Sequence, residues 1–183
     1  MNFEKTESKI EQTDLKNKET NSDFLEKNLK VEKPDSVRAK ESAGNFMKNL
    51  ESNFSPKILD KINSKEELEI YEGANLREEN VNGKICLVKG DVDWNQKDSM
   101  GRTNLERAKQ GLAPIKDDKP LELHHIGQHS DSPLAELTNK EHHSDGNDTI
   151  LHDKTKDSEI DRNSFAKEKS NHWKARAEME EGK

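Results

Sequence analysis

Apolar positions are sparse over the first fifty residues. Phe24, Leu25 and Leu29 stand among charged and amide side chains, a pattern that predicts disorder or loose helix. Phe46, Met47 and Leu50 suggest a short helix before the Ser52–Pro56 turn. Ser55-Pro56 then opens an amphipathic segment with Ile58, Leu59 and Ile62 grouped, since a capping serine followed by proline starts a helix well. Ser64 and Glu67 form a second start signal, of capping-box type, ahead of Leu68, Ile70 and Tyr71. Near Tyr71 the pattern shifts from helical spacing to short apolar runs. The chain is therefore divided into a polar N-terminal extension, residues 1–70, partly disordered or helical, and a domain over residues 71–183. In that domain Asn82-Gly83 signals a hairpin turn and Ile85 to Val88 a short strand. Thr103 and Glu106 predict a capped helix from Asn104 to about Lys109, closed by Gly111. Leu121 to Ile126 reads as a strand, Pro133 to Leu137 as a helical turn at most, and Ser144 to Asn147 as a loop. Ile150 to His152 resumes an apolar element of helical type. A long helix closes the pattern from Ser164 to about Glu180, with Phe165, Lys169, Trp173 and Ala177 on one stripe and Trp173 as its core anchor.

Composition limits how much of this can be core. Only 28% of the 183 residues are hydrophobic and 4% aromatic, against 38% charged, too little apolar material to bury along the whole length. Part of the chain is expected to be extended or to depend on a partner. The formal net charge is -7, so binding to a polyanion must rest on a local cationic surface or a bound metal rather than on overall charge. Arg107, Arg162, Lys169, Lys174 and Arg176 are the candidates for such a strip. Cys86 is the only cysteine, which excludes an intrachain disulfide and a thiolate cluster. It is expected to be a small buried hydrophobe. A metal would be held by imidazole, carboxylate or water. The first residues lack the apolar core of a signal peptide, and no apolar run approaches membrane-spanning length. Export would follow a route not visible in the sequence, or occur as the tail of a larger exported chain.

The chemistry concentrates in one stretch. Six of the seven histidines lie between Leu123 and His152, and imidazole is both a base near neutral pH and the commonest metal ligand. Because strand side chains alternate faces, His124 and His125 should point in different directions and serve different roles. His129, His143 and His172 are expected at the surface or in packing.

The Gly101–Arg107 block, Leu123-His124-His125, Gln128, Glu141-His142 and Leu151-His152 together resemble the LHH-type nucleases of the HNH/endonuclease VII superfamily, over about Tyr71 to Arg176. These are toxin domains at the C-termini of bacterial polymorphic and contact-dependent toxins. The resemblance implies an α+β fold with a treble-clef-like ββα-metal core and flanking helices. It also implies hydrolysis of DNA phosphodiesters with one divalent cation (zinc, nickel, magnesium or manganese), a cognate immunity protein, and delivery from a bacterium into a target-cell cytoplasm, with a larger toxin or secretion carrier. His124 and His152 map onto ligands and His125 onto the base. His142 fits either a third ligand or the place of the residue that orients the base, a role Asn147 can also fill. Arg102 would clamp phosphate or pair with an aspartate to fix its loop; Asn104 and Glu106 would serve the helix start. Arg107, Asn147, Lys174 and Arg176 are substrate-binding candidates, and Glu122, Glu141 and Asp153 could orient the ligating imidazoles. Asp117-Asp118-Lys119-Pro120 departs from the family's glycine-containing turn. The competing reading is a non-catalytic nucleic-acid- or protein-binding module whose histidines hold a structural zinc.

Overall fold

In the computed structural model, residues 52–183 are described, and they fall within one compact unit. The first fifty residues of the expected extension, with the short helix at Phe46–Leu50, lie outside them. The elements run α1 (Pro56–Leu59), α2 (Lys65–Gly73), β1 (Leu76–Val81), β2 (Lys84–Lys89), α3 (Asn104–Lys109), β3 (Ile115–Lys116), β4 (Lys119–Pro120), β5 (Glu122–His125), a 3₁₀ turn (Ile126–Gln128), β6 (Leu134–Leu137), α4 (Asn139–His143), α5 (Asn147–Leu151) and α6 (Arg162–Glu181). The mixed α+β expectation holds. No helix among the described residues is long and apolar enough to cross a membrane.

Local chemistry accounts for most boundaries. The β1–β2 hairpin turns on Asn82 and Gly83, with φ of 52° and 82°, the pair of left-handed conformations that a two-residue turn demands. Asp117 and Asp118 make a second such turn between β3 and β4, with φ of 52° and 61°; aspartate tolerates this region better than most residues. Thr103 and Glu106 close a full capping box on α3, as Thr138 and Glu141 do on α4. Ser64 caps α2, but Glu67 is diverted. Its carboxylate accepts from Asn63 N–H (2.8 Å), the Tyr71 hydroxyl (2.8 Å) and Gly127 N–H (3.0 Å). Burial pushes the Glu67 carboxyl above its usual range, against those three donors.

Four strands form the sheet in the order β1-β2-β6-β5, with β2 and β6 parallel and the other pairs antiparallel. Here one expectation is overturned: Pro133–Leu137 is not a helical turn but contains β6. All four of its residues are buried, because β6 lies between two strands and under helices. Alternation is therefore lost, and Leu-Ala-Glu-Leu has the composition of a helix. Phe54, Ile58, Leu59, Ile62 and Leu68 share one core with Leu87, Ile126, Leu137 and Leu151. The division drawn at 70/71 thus falls inside a packed unit. A second apolar cluster joins Val88, Leu123 and Leu134 to Trp173 and Ala177 of α6. Cys86 is buried there as expected, and burial pushes its thiol up to about 11.

Helix α6 is fastened across the sheet by a buried carboxylate. Glu136 on β6 has no exposed surface. It accepts from Lys89 N–H (2.8 Å), His172 Nε2 (2.7 Å) and Arg176 Nε (2.8 Å). Arg176 also donates to the Lys89 carbonyl (3.2 Å) and Glu180 (3.2 Å), and its guanidinium lies over the Trp94 ring. Arg176→Ala leaves a buried charge short of its principal partner and should lower the unfolding free energy by about 3–5 kcal/mol. Denaturant unfolding followed by tryptophan fluorescence measures this; a loss below about 1 kcal/mol would show that His172 and Lys89 satisfy Glu136 alone.

Candidate metal centre and base

Strands β5 and β6, followed by α4 and α5, make a ββα unit around the histidines. His124 and His125 lie next to each other on β5, paired with Ala135 and Leu134 of β6. Both are 4% exposed, yet the alternation of the strand sends them to separate surroundings. His142 lies on the short capped helix α4, and His152 follows the last residue of α5 in extended conformation.

His124, His142 and His152 converge. Their ring centroids are 5.1 Å (124–142), 5.0 Å (124–152) and 5.0 Å (142–152) apart. One ring nitrogen from each lies within 4.8 Å of the others. The outer nitrogens fix the tautomers. His142 Nδ1 faces Glu122 Oε2 at 2.5 Å, and His152 Nδ1 faces the Asp148 carbonyl at 3.0 Å. A carboxylate and a carbonyl only accept, so each Nδ1 carries a proton, and in the neutral ring Nε2 is the nitrogen with the free lone pair. His142 Nε2 stands 3.3 Å from His124 Nδ1, while His124 Nε2 is buried without a hydrogen-bond partner. Burial holds the His124 imidazole well below its usual pKa, and neighbouring His142, His152 and His125 push it the same way. Burial also lowers His142, although Glu122 pulls it up. Neutral rings with free lone pairs are what a cation requires.

Glu122 is the hub behind this trio. Besides His142 it receives His143 Nε2 (2.8 Å) and Asn139 Nδ2 (2.9 Å). Those three donors, His142 and His143 included, keep its carboxyl below the usual range against the opposing effect of burial. His143 is exposed, as expected, but it is tied into the site by this bond and by Asp148 at 3.4 Å.

His125 faces elsewhere. Its Nε2 lies 3.0 Å from Glu168 Oε2 on α6, and its ring packs at a tilt against Phe165 with centroids 4.6 Å apart. The other Glu168 oxygen accepts from Lys84 Nζ at 2.7 Å. Burial lowers the His125 pKa despite Glu168, so the ring is held neutral with Nε2 donating and Nδ1 free to accept.

Several expected site residues are spent on the scaffold. Arg176 is buried on Glu136 and belongs to no cationic strip. Arg102 binds Asp98 through Nε (2.9 Å) and its terminal nitrogen (2.8 Å), and Arg107 reaches the same carboxylate at 2.8 Å and the Ala113 carbonyl at 3.0 Å. Burial opposes ionisation of Asp98, yet Arg107 and Arg102 hold its carboxyl far below the usual range. Both guanidinium groups thus fix the loop before α3, the aspartate-pairing alternative for Arg102. Asn147 Nδ2 donates to the Glu141 carbonyl (2.8 Å), orienting α4 and not His125. Glu141 serves the α4 cap and pairs with buried Lys89 rather than an imidazole, and Asp153 turns to Thr155 and Lys156. Lys174 is exposed on α6. His172 packs on Glu136, and His129 meets Glu159 at the surface.

Glu168 and Lys84 went unnoticed in the sequence because each sits more than forty residues from His125 and reads as ordinary surface charge. The only signal was the i, i+3 placement of Phe165 and Glu168 on one side of a long helix.

No solved structure matches the chain. Residues 103–179 match a family model described as LHH, a nuclease of the HNH/ENDO VII superfamily with conserved LHH. That span holds the Leu123-His124-His125 run, the converging trio and the helix that carries Glu168, and over it the chain is similar to the LHH nucleases.

Proposed function

We propose that the chain is a metal-dependent DNA endonuclease in which His124, His142 and His152 hold one divalent cation and His125 is the general base. The observation that carries this reading is the separation of two adjacent buried histidines, His124 into the trio with His142 and His152 and His125 into a pair with Glu168.

The trio fits a cation on its own chemistry. Ligands about 2.0–2.1 Å from a tetrahedral zinc lie about 3.3–3.4 Å from one another, and the His142 Nε2 to His124 Nδ1 separation is 3.3 Å. Three protein ligands leave a fourth position for water or substrate, which distinguishes catalytic from closed structural sites. An all-imidazole set favours zinc or nickel in affinity over magnesium. When bound, the cation would supply Lewis-acid polarisation of the phosphoryl group and stabilise charge on the departing oxygen.

The remaining work falls to side chains of this protein. Glu168 accepts the Nε2 proton of His125 and leaves Nδ1 to take a proton from an attacking water. Phe165 holds the ring against rotation. Lys84 pairs with the other Glu168 oxygen, which anchors the carboxylate as an acceptor and a support for His125. Glu122 and the Asp148 carbonyl hold the Nδ1 protons of His142 and His152, which leaves Nε2 of each neutral ring as the ligating nitrogen. The wider role we infer, a toxin of bacterial competition restrained by an immunity protein and delivered as part of a larger chain, is supported by the resemblance of the chain from about Tyr71 to Arg176 to toxin nucleases.

Plasmid cleavage by the purified chain should stop with EDTA and return on adding back zinc, nickel or manganese. His125→Ala should cut about 10²–10⁴-fold more slowly while retaining its metal by mass spectrometry. His152→Ala should lose both. If His125→Ala loses its metal and its fold together, the histidines are a structural zinc site.

Glu122→Gln removes the acceptor that fixes the His142 tautomer. Metal affinity should fall about 10–100-fold, measured by competition with a chromophoric chelator. Unchanged affinity would mean that the backbone alone orients His142.

A further inference from the structure

A cleft of about 410 Å³ opens beside His125, between the β1–β2 turn and the first half of α6. It lies within the range of small-ligand sites, about 300–1,000 Å³. Its floor is Cys86 and Leu134, its walls carry Asn82 and Asn171, and Lys84 and Lys167 stand over it. Glu168 belongs both to this cleft and to the base: one oxygen receives His125 and the other Lys84. Leu134 pairs with His125 across β5 and β6. Whatever fills the cleft is therefore one side chain away from the proposed base.

The lining selects the occupant. Cys86 and Leu134 offer a small apolar floor on which a planar ring can rest. The two carboxamides come from different elements, each with donors and an acceptor, and complement the hydrogen-bonding edge of a nucleobase. Two lysines against the single carboxylate of Glu168 leave local positive charge in a chain of net charge -7, which suits a phosphodiester backbone. A duplex keeps its bases stacked and cannot offer one to such a cleft without flipping it out.

We propose that this cleft takes one unpaired nucleotide of the substrate strand, its base between Asn82 and Asn171 and its phosphate near Lys167. This rests on the nuclease reading above and adds that the preferred substrate is single-stranded or locally opened DNA. Asn171 and Lys167 are positioning and binding residues here, with no part in the proton transfer.

The test uses the full chain. In a His125→Ala background, fluorescence anisotropy with a short labelled single-stranded oligonucleotide reads binding without turnover. Asn171→Trp fills the cleft from an exposed helical position and should raise Kd about tenfold, the equivalent of about one hydrogen-bonded contact. Lys167→Ala should lower the slope of log K against log salt by about 0.7, the value for one phosphate on a single strand. With His125 restored, Asn171→Trp should also change the base composition at cleavage positions on single-stranded DNA, and the unaltered chain should cut single strands in preference to blunt duplex. Circular dichroism and metal content confirm that each variant is folded and loaded. If the unaltered chain cuts DNA but Asn171→Trp and Asn171→Ala bind and cut as it does, the cleft is no nucleotide site and the nuclease reading stands. If the unaltered, metal-loaded chain cuts no nucleic acid, both proposals fall. A cleft that serves a protein partner instead leaves oligonucleotide binding unchanged in all these variants, and that too overturns the inference.

Discussion

The arrangement depends on the carboxylate of Glu136. It sits on the inner strand β6 without exposed surface and is met by a backbone N–H of β2 and by His172 and Arg176 of α6. An enclosed charge of this kind adds little net stability, because desolvation offsets most of the attraction, but it tolerates few alternative packings. Here it sets where α6 crosses the sheet. Helix geometry then does the rest: His172 sits four residues beyond Glu168 and seven beyond Phe165, so the same side of α6 that grips Glu136 brings Phe165 and Glu168 to His125. A buried structural pair on one strand thus determines the environment of a histidine on the next.

A second constraint lies at the other end of β5. Gly127 has φ of +70°, and a Cβ there would stand 2.2 Å from the Lys61 carbonyl. Only glycine lets the chain pass so close to the segment between α1 and α2. Glu67 holds the Gly127 N–H, and Asn63 Nδ2 donates to the Gly127 carbonyl at 3.2 Å. The turn directly after the histidine pair is therefore clamped by residues that precede the first strand. This explains why the segment from Phe54 onward packs as part of the same unit, although its polar flanks read as an extension.

The separate surroundings of His124 and His125 were legible because they follow from a local rule. Alternation along a strand separates His124 from His125 whatever the tertiary fold, and the capping boxes at Thr103 and the turn at Asn82-Gly83 are equally local. Non-local facts were not legible. The strand at Leu134–Leu137 has lost its period through burial on all sides. Arg107 and Arg176 looked like surface cations because sequence does not reveal that Asp98 and Glu136 wait for them. Glu122 was one of three candidate supports on the basis of proximity in sequence; the register of β5 against β6, together with the cap of α4, selects it over Glu141 and Asp153. Glu168 could not be named at all, since its pairing with His125 depends on the angle at which α6 crosses the sheet.

The removal of two arginines from the cationic strip sharpens a question the net charge had raised. A chain of formal charge -7 gains little from long-range attraction to DNA, so its contacts must act at short range. Under the proposed function, positive charge comes from three sources: the cation within the neutral histidine trio, Lys84 and Lys167 at the cleft, and exposed helix lysines such as Lys174. Lys84 reaches His125 through Glu168. Its charge is partly offset by Glu168, which the base itself needs as a support. Binding and proton transfer are therefore linked through one carboxylate. A phosphate that engages Lys84 would act on the same carboxylate that positions His125, so substrate entry and the orientation of the base meet at a single side chain.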